Sequence, residues 1–282
     1  MAEHAFSGAR PGPGAVRTAA AGAALALALA GCAAASPGPL PAGGFDYQLG
    51  GAYDPAEGVA IVVRDSEERP EPGLFSVCYV NAFQTQPADL GLWEREHPDL
   101  LLRDAGGRPV ADPDWPDERL LDTSTADRRE RIAGVVGRAV ARCADSGFDA
   151  VEFDNLDSHV RSQGLLTLDG NLDLAGLLVD TAHGHGLLAA QKNAAEAARR
   201  GRDEAGFDFA VAESCAAWGE CGAYTRVYGA DGVLAVEYPG ALAEAGLAFA
   251  EACGSAGVPT RTVLRDRELV PAGHRDHVFA SC

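Results

Sequence analysis

Eight short apolar runs, separated by helical stretches or long loops, constrain this chain more than any other feature. They are Phe45–Leu49, Val59–Arg64, Phe75–Asn81, Ala150–Asp154, Leu187–Lys192, Phe207–Ala212, Val233–Glu237 and Thr260–Leu264. Each reads as a buried strand, and helical spacing recurs over 124–146, 171–185, 194–205 and 241–256. Such alternation implies parallel strands joined by helical crossovers. Eight units favour closure into a (β/α)8 TIM barrel over an open doubly wound sheet. A nucleotide-binding version of the open sheet also lacks its phosphate loop, because Gly50 and Gly51 lead into Ala52-Tyr53-Asp54-Pro55 and not into a helix. The expectation is an α/β fold, one barrel domain over residues 45–282. A long insertion (82–121) after strand three carries Trp93, Trp115 and Glu118.

The strand ends carry the chemistry. In order they deliver Gln48, Asp65, Tyr79 with Asn81, Asp154 with Asn155, Lys192 with Asn193, Glu213, Glu237 with Tyr238, and Asp266. Active sites of such barrels sit at the C-terminal strand ends, so polar groups at corresponding positions are expected to converge. The densest block is Asp149-Ala150-Val151-Glu152-Phe153-Asp154-Asn155-Leu156-Asp157. Strand alternation puts Glu152 and Asp154 on one face, with Val151 and Phe153 on the other. Two carboxylates on one side of a buried strand repel each other and are costly to desolvate, which suits a strand opening into a polar cavity. The rival is an acidic strand end neutralised by structural ion pairs. Trp115 can stack on a sugar ring or pack the insertion onto the barrel. No His-x-His pair stands at a strand end, and His183 with His185 falls late in a helix, so neither a metal nor a cofactor is expected.

The N-terminus belongs to another category. Arg10 and Arg17 precede a twelve-residue Ala/Leu-rich run, Ala19–Ala30, too short to span a bilayer as a mature helix. It ends in Leu29-Ala30-Gly31-Cys32, which resembles a bacterial lipobox with Cys32 as the lipidated residue; an ordinary secretory signal is the alternative. Residues 1–31 are thus expected to direct export and residues 32–44, rich in Ala, Pro and Gly, to form a tether. Six cysteines remain, an even number suited to disulfides in an exported chain, and they allow fifteen pairings. Cys143 lies on the apolar face of the 124–146 helix, and Cys78 points outward if Tyr79 and Asn81 point into the barrel. The expected pairs are Cys78–Cys143, Cys215–Cys221 and Cys253–Cys282. A zinc site is the other use of such residues, but no CxxC accompanies them. The formal charge is −18, and −19 without residues 1–31. Nucleic acid is a poor partner for such a chain, whereas a cationic substrate would be attracted. Membrane attachment is expected through Cys32 alone, and a monomer is expected.

Read together, these segments resemble glycoside hydrolase family 114, whose type activity is endo-α-1,4-polygalactosaminidase. The carriers are Tyr47-Gln48-Leu49, Val62-Val63-Arg64-Asp65, Cys78-Tyr79-Val80-Asn81 and Trp115-Pro116-Asp117-Glu118-Arg119-Leu120-Leu121-Asp122. Gly147 to Asp157 follows as the most specific block, then Gln191-Lys192-Asn193, Glu213-Ser214-Cys215 with Cys221, and Val236-Glu237-Tyr238. The resemblance implies a barrel that hydrolyses α-linked, positively charged galactosamine polymers. Asp154 matches the strand-four catalytic carboxylate and Glu213 its strand-six partner. Three departures stand out: Ala150 where Gly is usual, Leu120 where Trp is frequent in a groove wall, and a short run after strand eight that suggests a truncated last helix.

Glycoside hydrolysis needs one carboxyl to protonate the leaving oxygen and another to attack the sugar carbon or activate water. Asp154 is assigned as nucleophile and Glu213 as general acid/base, the latter with an expected raised pKa. Glu152, Asp157, Asp65 and Glu237 are candidates to grip substrate ammonium groups. Tyr79, Asn155 and Asn193 would orient carboxylates or bind hydroxyls, and Lys192 would hold an acid in place. Gln48, Asn81, Trp115, Glu118 and Tyr238 complete the expected substrate-binding set. Two rival functions share these features. A glycan-binding lipoprotein without turnover would not need both Asp154 and Glu213. An unrelated barrel enzyme, metal-dependent or using Lys192 as a Schiff base, does not call for this carboxylate set.

Overall fold

The computed structural model describes residues 40–282, together with Gly8. The expected signal segment, the lipidation candidate Cys32 and most of the tether lie outside those residues. Nine strands form one sheet in chain order: β1 (Gly44–Gln48), β2 (Val59–Asp65), β3 (Phe75–Asn81), β4 (Ala150–Asp154), β5 (Leu188–Lys192), β6 (Phe209–Glu213), β7 (Val233–Glu237), β8 (Thr262–Arg265) and β9 (Phe279–Ser281). Neighbours from β1 to β8 are parallel, and β9 is antiparallel to β8.

Alternation along each strand sorts the core into two layers. Phe45, Tyr47, Ile61, Val63, Val77, Phe209, Val211, Leu234 and Val236 pack inside the barrel. Cys78, Val80, Val151, Phe153, Ala189 and Val233 face outward and pack under the helices. These runs are apolar on both faces because helices cover the sheet outside while its own side chains fill the inside.

The helix α2 (Ala126–Ser146) illustrates the outer layer. Ile132, Val136, Val140 and Cys143 recur at three- and four-residue spacing and are buried. Thr125 caps its start, the hydroxyl accepting from the Arg128 N–H. Gly147 ends it at φ 91°, a left-handed conformation that costs glycine little. The Cys78–Cys143 disulfide ties this helix to β3, and Cys215–Cys221 and Cys253–Cys282 are also formed. No helix among the described residues is long and apolar enough to cross a membrane.

Three regions differ from expectation. The insertion after β3 has regular structure of its own: it carries α1 (Leu90–Glu96) and antiparallel bridges at Gln84–Leu120, Leu101–Leu121, Arg103–Pro109 and Ala111–Arg119. Leu102, Val110, Leu120 and Leu166 form its own small core, so Leu120 packs inside the insertion and does not wall the groove. The 194–205 stretch breaks into short 3-10, α and π turns, and 241–256 divides into Pro239–Glu244 and Phe249–Cys253. The third difference is the seam. β1 does not pair with β8; β9 pairs along the edge of β8 left open by β7, and the barrel is nearly closed. Side chains bridge the gap. Buried Arg265 of β8 bonds Asp46 Oδ1 at 3.1 Å and the carbonyl of Tyr47, and Arg261 donates to the carbonyls of Gly43 (3.1 Å) and Pro41 (2.6 Å).

Candidate active site

Strand parity and strand ends together build the site. Glu152 and Asp154 of β4, Lys192 of β5 and Glu213 of β6 all fall on the inward parity of their strands. Lys192 is only 2 % exposed. Its Nζ lies 3.2 Å from Glu152 Oε1, 3.5 Å from Asp154 Oδ2 and 3.4 Å from Glu213 Oε2, and donates to the Tyr47 hydroxyl at 3.1 Å. Burial pulls the ammonium pKa down, but Asp154, Glu213 and Glu152 outweigh it and hold Lys192 charged well above its ordinary value. Asp154 Oδ2 and Glu213 Oε2 touch the same nitrogen, so they are no further apart than those two contacts end to end, about 7 Å.

A ring of phenols fixes the carboxylates. Tyr79 donates to Asp154 Oδ2 at 2.7 Å, Tyr47 donates to Glu152 Oε1 at 2.8 Å, and Tyr238 donates to Glu213 Oε1. Burial, helped by the nearby carboxylates, raises all three phenol pKa values well above normal, so each stays a donor. The backbone N–H of Asn155 donates to Asp154 Oδ1 at 2.7 Å. Asn193 Nδ2 donates to Glu213 Oε2 at 3.3 Å, while Asn193 Oδ1 accepts from the Glu213 backbone N–H at 2.8 Å. Asn155 and Asn193 both adopt positive φ, 70° and 50°, turning the chain sharply where the strands end.

Burial, reinforced by the Asp154 charge against Lys192 and Tyr47, pushes the Glu152 carboxyl up to about 7. Glu213 goes the other way, against the expected raised value. Burial pushes it up, but Lys192, the Tyr238 hydroxyl, Arg267 and Asn193 hold it below the ordinary glutamate value. The site at rest therefore holds Glu213 as a carboxylate.

Above this cluster opens a cavity of about 420 Å³ at the C-terminal strand ends. Of the sequence-derived set, Asp65, Tyr79, Trp115, Glu118, Asp154, Asn155, Asp157, Lys192, Asn193, Glu213 and Tyr238 line it. Trp115 is 51 % exposed and sits under the Arg267 guanidinium at 5.8 Å, a groove wall more than a packing anchor. Asn81 stands behind the lining, donating to Glu118 Oε2 at 2.9 Å and accepting from Asn155 Nδ2 at 2.9 Å.

Three more of the expected substrate contacts do not reach the cavity. Gln48 and Glu237 have outward parity. Gln48 is buried between Asp46 (2.9 Å) and Arg64 (3.0 Å), and Glu237 accepts the backbone N–H groups of Ala216 (2.7 Å) and Ala217 (3.3 Å). Glu152 faces inward but is 0 % exposed, beneath Lys192. The ammonium-gripping role expected for Glu152 and Glu237 is thus corrected. Asp157 has a partner of its own, Arg161 at 3.0 Å, which also holds Asp112 at 2.6 Å.

The structure adds residues that sequence reasoning missed: Tyr47, Gln84, Asp112, Arg161 and Arg267. Arg161 follows Asp157 by four positions, a helical spacing that could have revealed the pair. Tyr47 shares inward parity with Phe45. The partner role of Asp112 rests on the insertion's fold, which carried no readable pattern. One grouping of metal-ligand type, Cys215, Cys221 and Glu237, has its sulfurs joined in a disulfide and its carboxylate bound to backbone, so it offers no thiolate.

A model of the glycoside-hydrolase family GH114 matches residues 26–282. The chain belongs to this family. It is accordingly a glycoside hydrolase. Among solved structures, Aspergillus fumigatus Ega3 in complex with galactosamine is similar at 20 % identity with a TM-score of 0.65, covering 85 % of this chain and 95 % of that one. The glycoside hydrolase domain of PelA from Pseudomonas aeruginosa is similar at 16 % identity with a TM-score of 0.52, covering 84 % and 97 %. Both likenesses show the GH114 chain to have their fold. A search of curated protein sequences found no match.

Proposed function

We propose that this chain is an exported hydrolase of α-1,4-linked, galactosamine-containing polysaccharide, with Asp154 as nucleophile and Glu213 as general acid/base. The observation that carries the reading is the pair of carboxylates from β4 and β6 held about a single buried ammonium at the floor of the cavity. Membership of GH114 and the fold shared with galactosamine-bound Ega3 support the substrate. Asp154 as nucleophile implies a covalent, retaining route, and the bound of about 7 Å admits the roughly 5–5.5 Å spacing of retaining pairs.

In the first step an Asp154 oxygen attacks the anomeric carbon as the glycosidic C–O bond breaks, and the Glu213 proton passes to the leaving oxygen. In the second, water gives a proton to Glu213 and attacks the same carbon, releasing Asp154. Glu213 must gain a proton before the first step. Polymer filling the cavity strips water from it and engages the Tyr238 hydroxyl, and both changes raise its proton affinity. Lys192 and Tyr79 hold Asp154 in place for the attack. The N-terminal segment with Cys32 delivers the domain, residues 45–282, to the outer face of a membrane as a lipoprotein. The test is incubation of protein lacking residues 1–32 with polygalactosamine and analysis of the released oligosaccharides. Release of reducing ends that keep the α configuration at first is the expected result, and no release refutes the reading.

A further inference from the structure

The acids that line the cavity are not equivalent. Lys192 answers Asp154 and Glu213, and Arg161 answers Asp112 and Asp157. Asp65 turns its Oδ1 to the N–H of Glu67 at 2.9 Å, and Asp114 and Glu268 are exposed to water. Glu118 is different. Like Asp65 it is half-buried, lines the cavity and has no Lys, Arg or His among the described residues within ion-pair distance, but side-chain amides alone hold its carboxylate over the cavity. The nearby Arg119 directs its guanidinium at the carbonyls of Pro116 (2.6 Å) and Glu118 (3.0 Å) instead.

The carboxylate is nonetheless held in one orientation. Asn81 Nδ2 (2.9 Å) and Gln84 Nε2 (2.7 Å) both donate to Oε2, and Oε1 receives no hydrogen bond among the described residues. A partly desolvated anion fixed by neutral amides and lacking a counter-ion is costly unless a cation completes it. Its charged neighbours add to that cost. Burial first, then the Asp154 and Asp112 carboxylates, push the Glu118 pKa up, while Gln84 and Asn81 oppose the rise.

We infer that Glu118 is the amine-selecting residue of the site, receiving the primary ammonium of a galactosamine unit on its free Oε1. This deepens the proposed function and rests on it. A protonated amine brings a full charge and three donors to that oxygen. An N-acetyl group brings one neutral N–H and extra bulk, so the same carboxylate that welcomes the amine disfavours the amide. Selectivity for free-amine segments therefore resides in the insertion, apart from the carboxylate pair that breaks the bond. The chain Glu118–Asn81–Asn155 links it to the turn that carries Asp154.

The experiment compares kcat/KM on α-1,4-polygalactosamine and on its fully N-acetylated form, for wild type and Glu118→Gln. Glutamine keeps the shape and an oxygen for Asn81 and Gln84 and removes the charge. The amine-over-acetamide ratio is expected to fall roughly ten- to hundredfold, the range of one charge-assisted hydrogen bond. A ratio that does not move overturns the inference while leaving the proposed function in place. Wild-type protein inert on both polymers overturns the substrate reading and this inference with it. A second readout needs no variant. The amine stays protonated on the acid side of neutrality, so KM for the amine polymer should rise as pH falls through the Glu118 range while KM for the acetylated polymer does not follow. Parallel KM profiles on the two polymers overturn the inference as well.

Discussion

Glu152→Gln gives a stability signature that the buried cluster dictates. The Glu152 carboxyl is 0 % exposed, accepts from Tyr47 and Lys192 on Oε1, and has no partner on Oε2. Its pKa rises from an ordinary 4.5 to about 7 in the fold. A raised carboxyl stabilises the native state fully below the unfolded value and loses that contribution as pH climbs to the folded one. The window runs from about 4.5 to about 7, and at about 1.4 kcal/mol per pH unit the loss totals about 3 kcal/mol. Glutamine cannot titrate. Its carbonyl oxygen can still accept from Tyr47 and Lys192, and its amide inherits the unpartnered Oε2 position at a pH-independent cost of about 1–3 kcal/mol. Lys192 and Tyr47, which feel the Glu152 charge, titrate far above this window, so the difference between variant and wild type reads Glu152. That difference should move by about 3 kcal/mol in favour of the variant between pH 4 and pH 8, or about 6–12 °C in Tm for a domain of this size. Urea denaturation and calorimetry across that range measure it. A difference curve that is flat, or that slopes the other way, refutes the assignment of Glu152 as the neutral-range acid.

Four further outcomes follow from the same geometry. Asp154→Asn and Glu213→Gln should each lower turnover by several orders of magnitude while melting cooperatively; near-normal activity of either on polygalactosamine removes it from the catalytic pair. Lys192→Met takes away the cation that opposes the burial of Glu213, so the carboxyl pKa rises and the pH optimum of hydrolysis should move upward. An optimum that stays in place shows that Lys192 does not tune the pair. Replacing Cys78 and Cys143 together by serine releases a link across 65 residues and should cost about 4 kcal/mol, against about 2 kcal/mol for Cys215 and Cys221, six residues apart; equal costs in urea titrations would contradict a loop-length origin. Arg265→Met leaves buried Asp46 without its cation and opens the β1–β8 seam, and should cost about 3–5 kcal/mol, read as a lower urea midpoint.

Much of this molecule is legible in its sequence, for a reason visible at each strand. Parity in a buried strand is strict, so Val151 and Phe153 had to oppose Glu152 and Asp154, and the chain delivers that split. The same rule explains two misplaced contacts: Glu237 and Gln48 stand at strand ends, yet their parity turns them outward, and end position alone was too generous a criterion. Periodicity also misses whatever depends on partners remote in sequence. Arg265 is the clearest case. It lies 219 residues from Asp46, and nothing local to either says that they meet. The short run after strand eight predicted a truncated helix, but residues 279–281 form a strand because β8 offers an unpaired edge there and Cys282 is tethered to Cys253. The insertion teaches the same lesson for function. Its bridges bring Gln84 beside Leu120, two positions past Glu118, and so place the carboxylate against two amides over the cavity. A residue that looked like one acid among many becomes, once the loop is folded, the cavity acid fixed in place with no cation assigned to it.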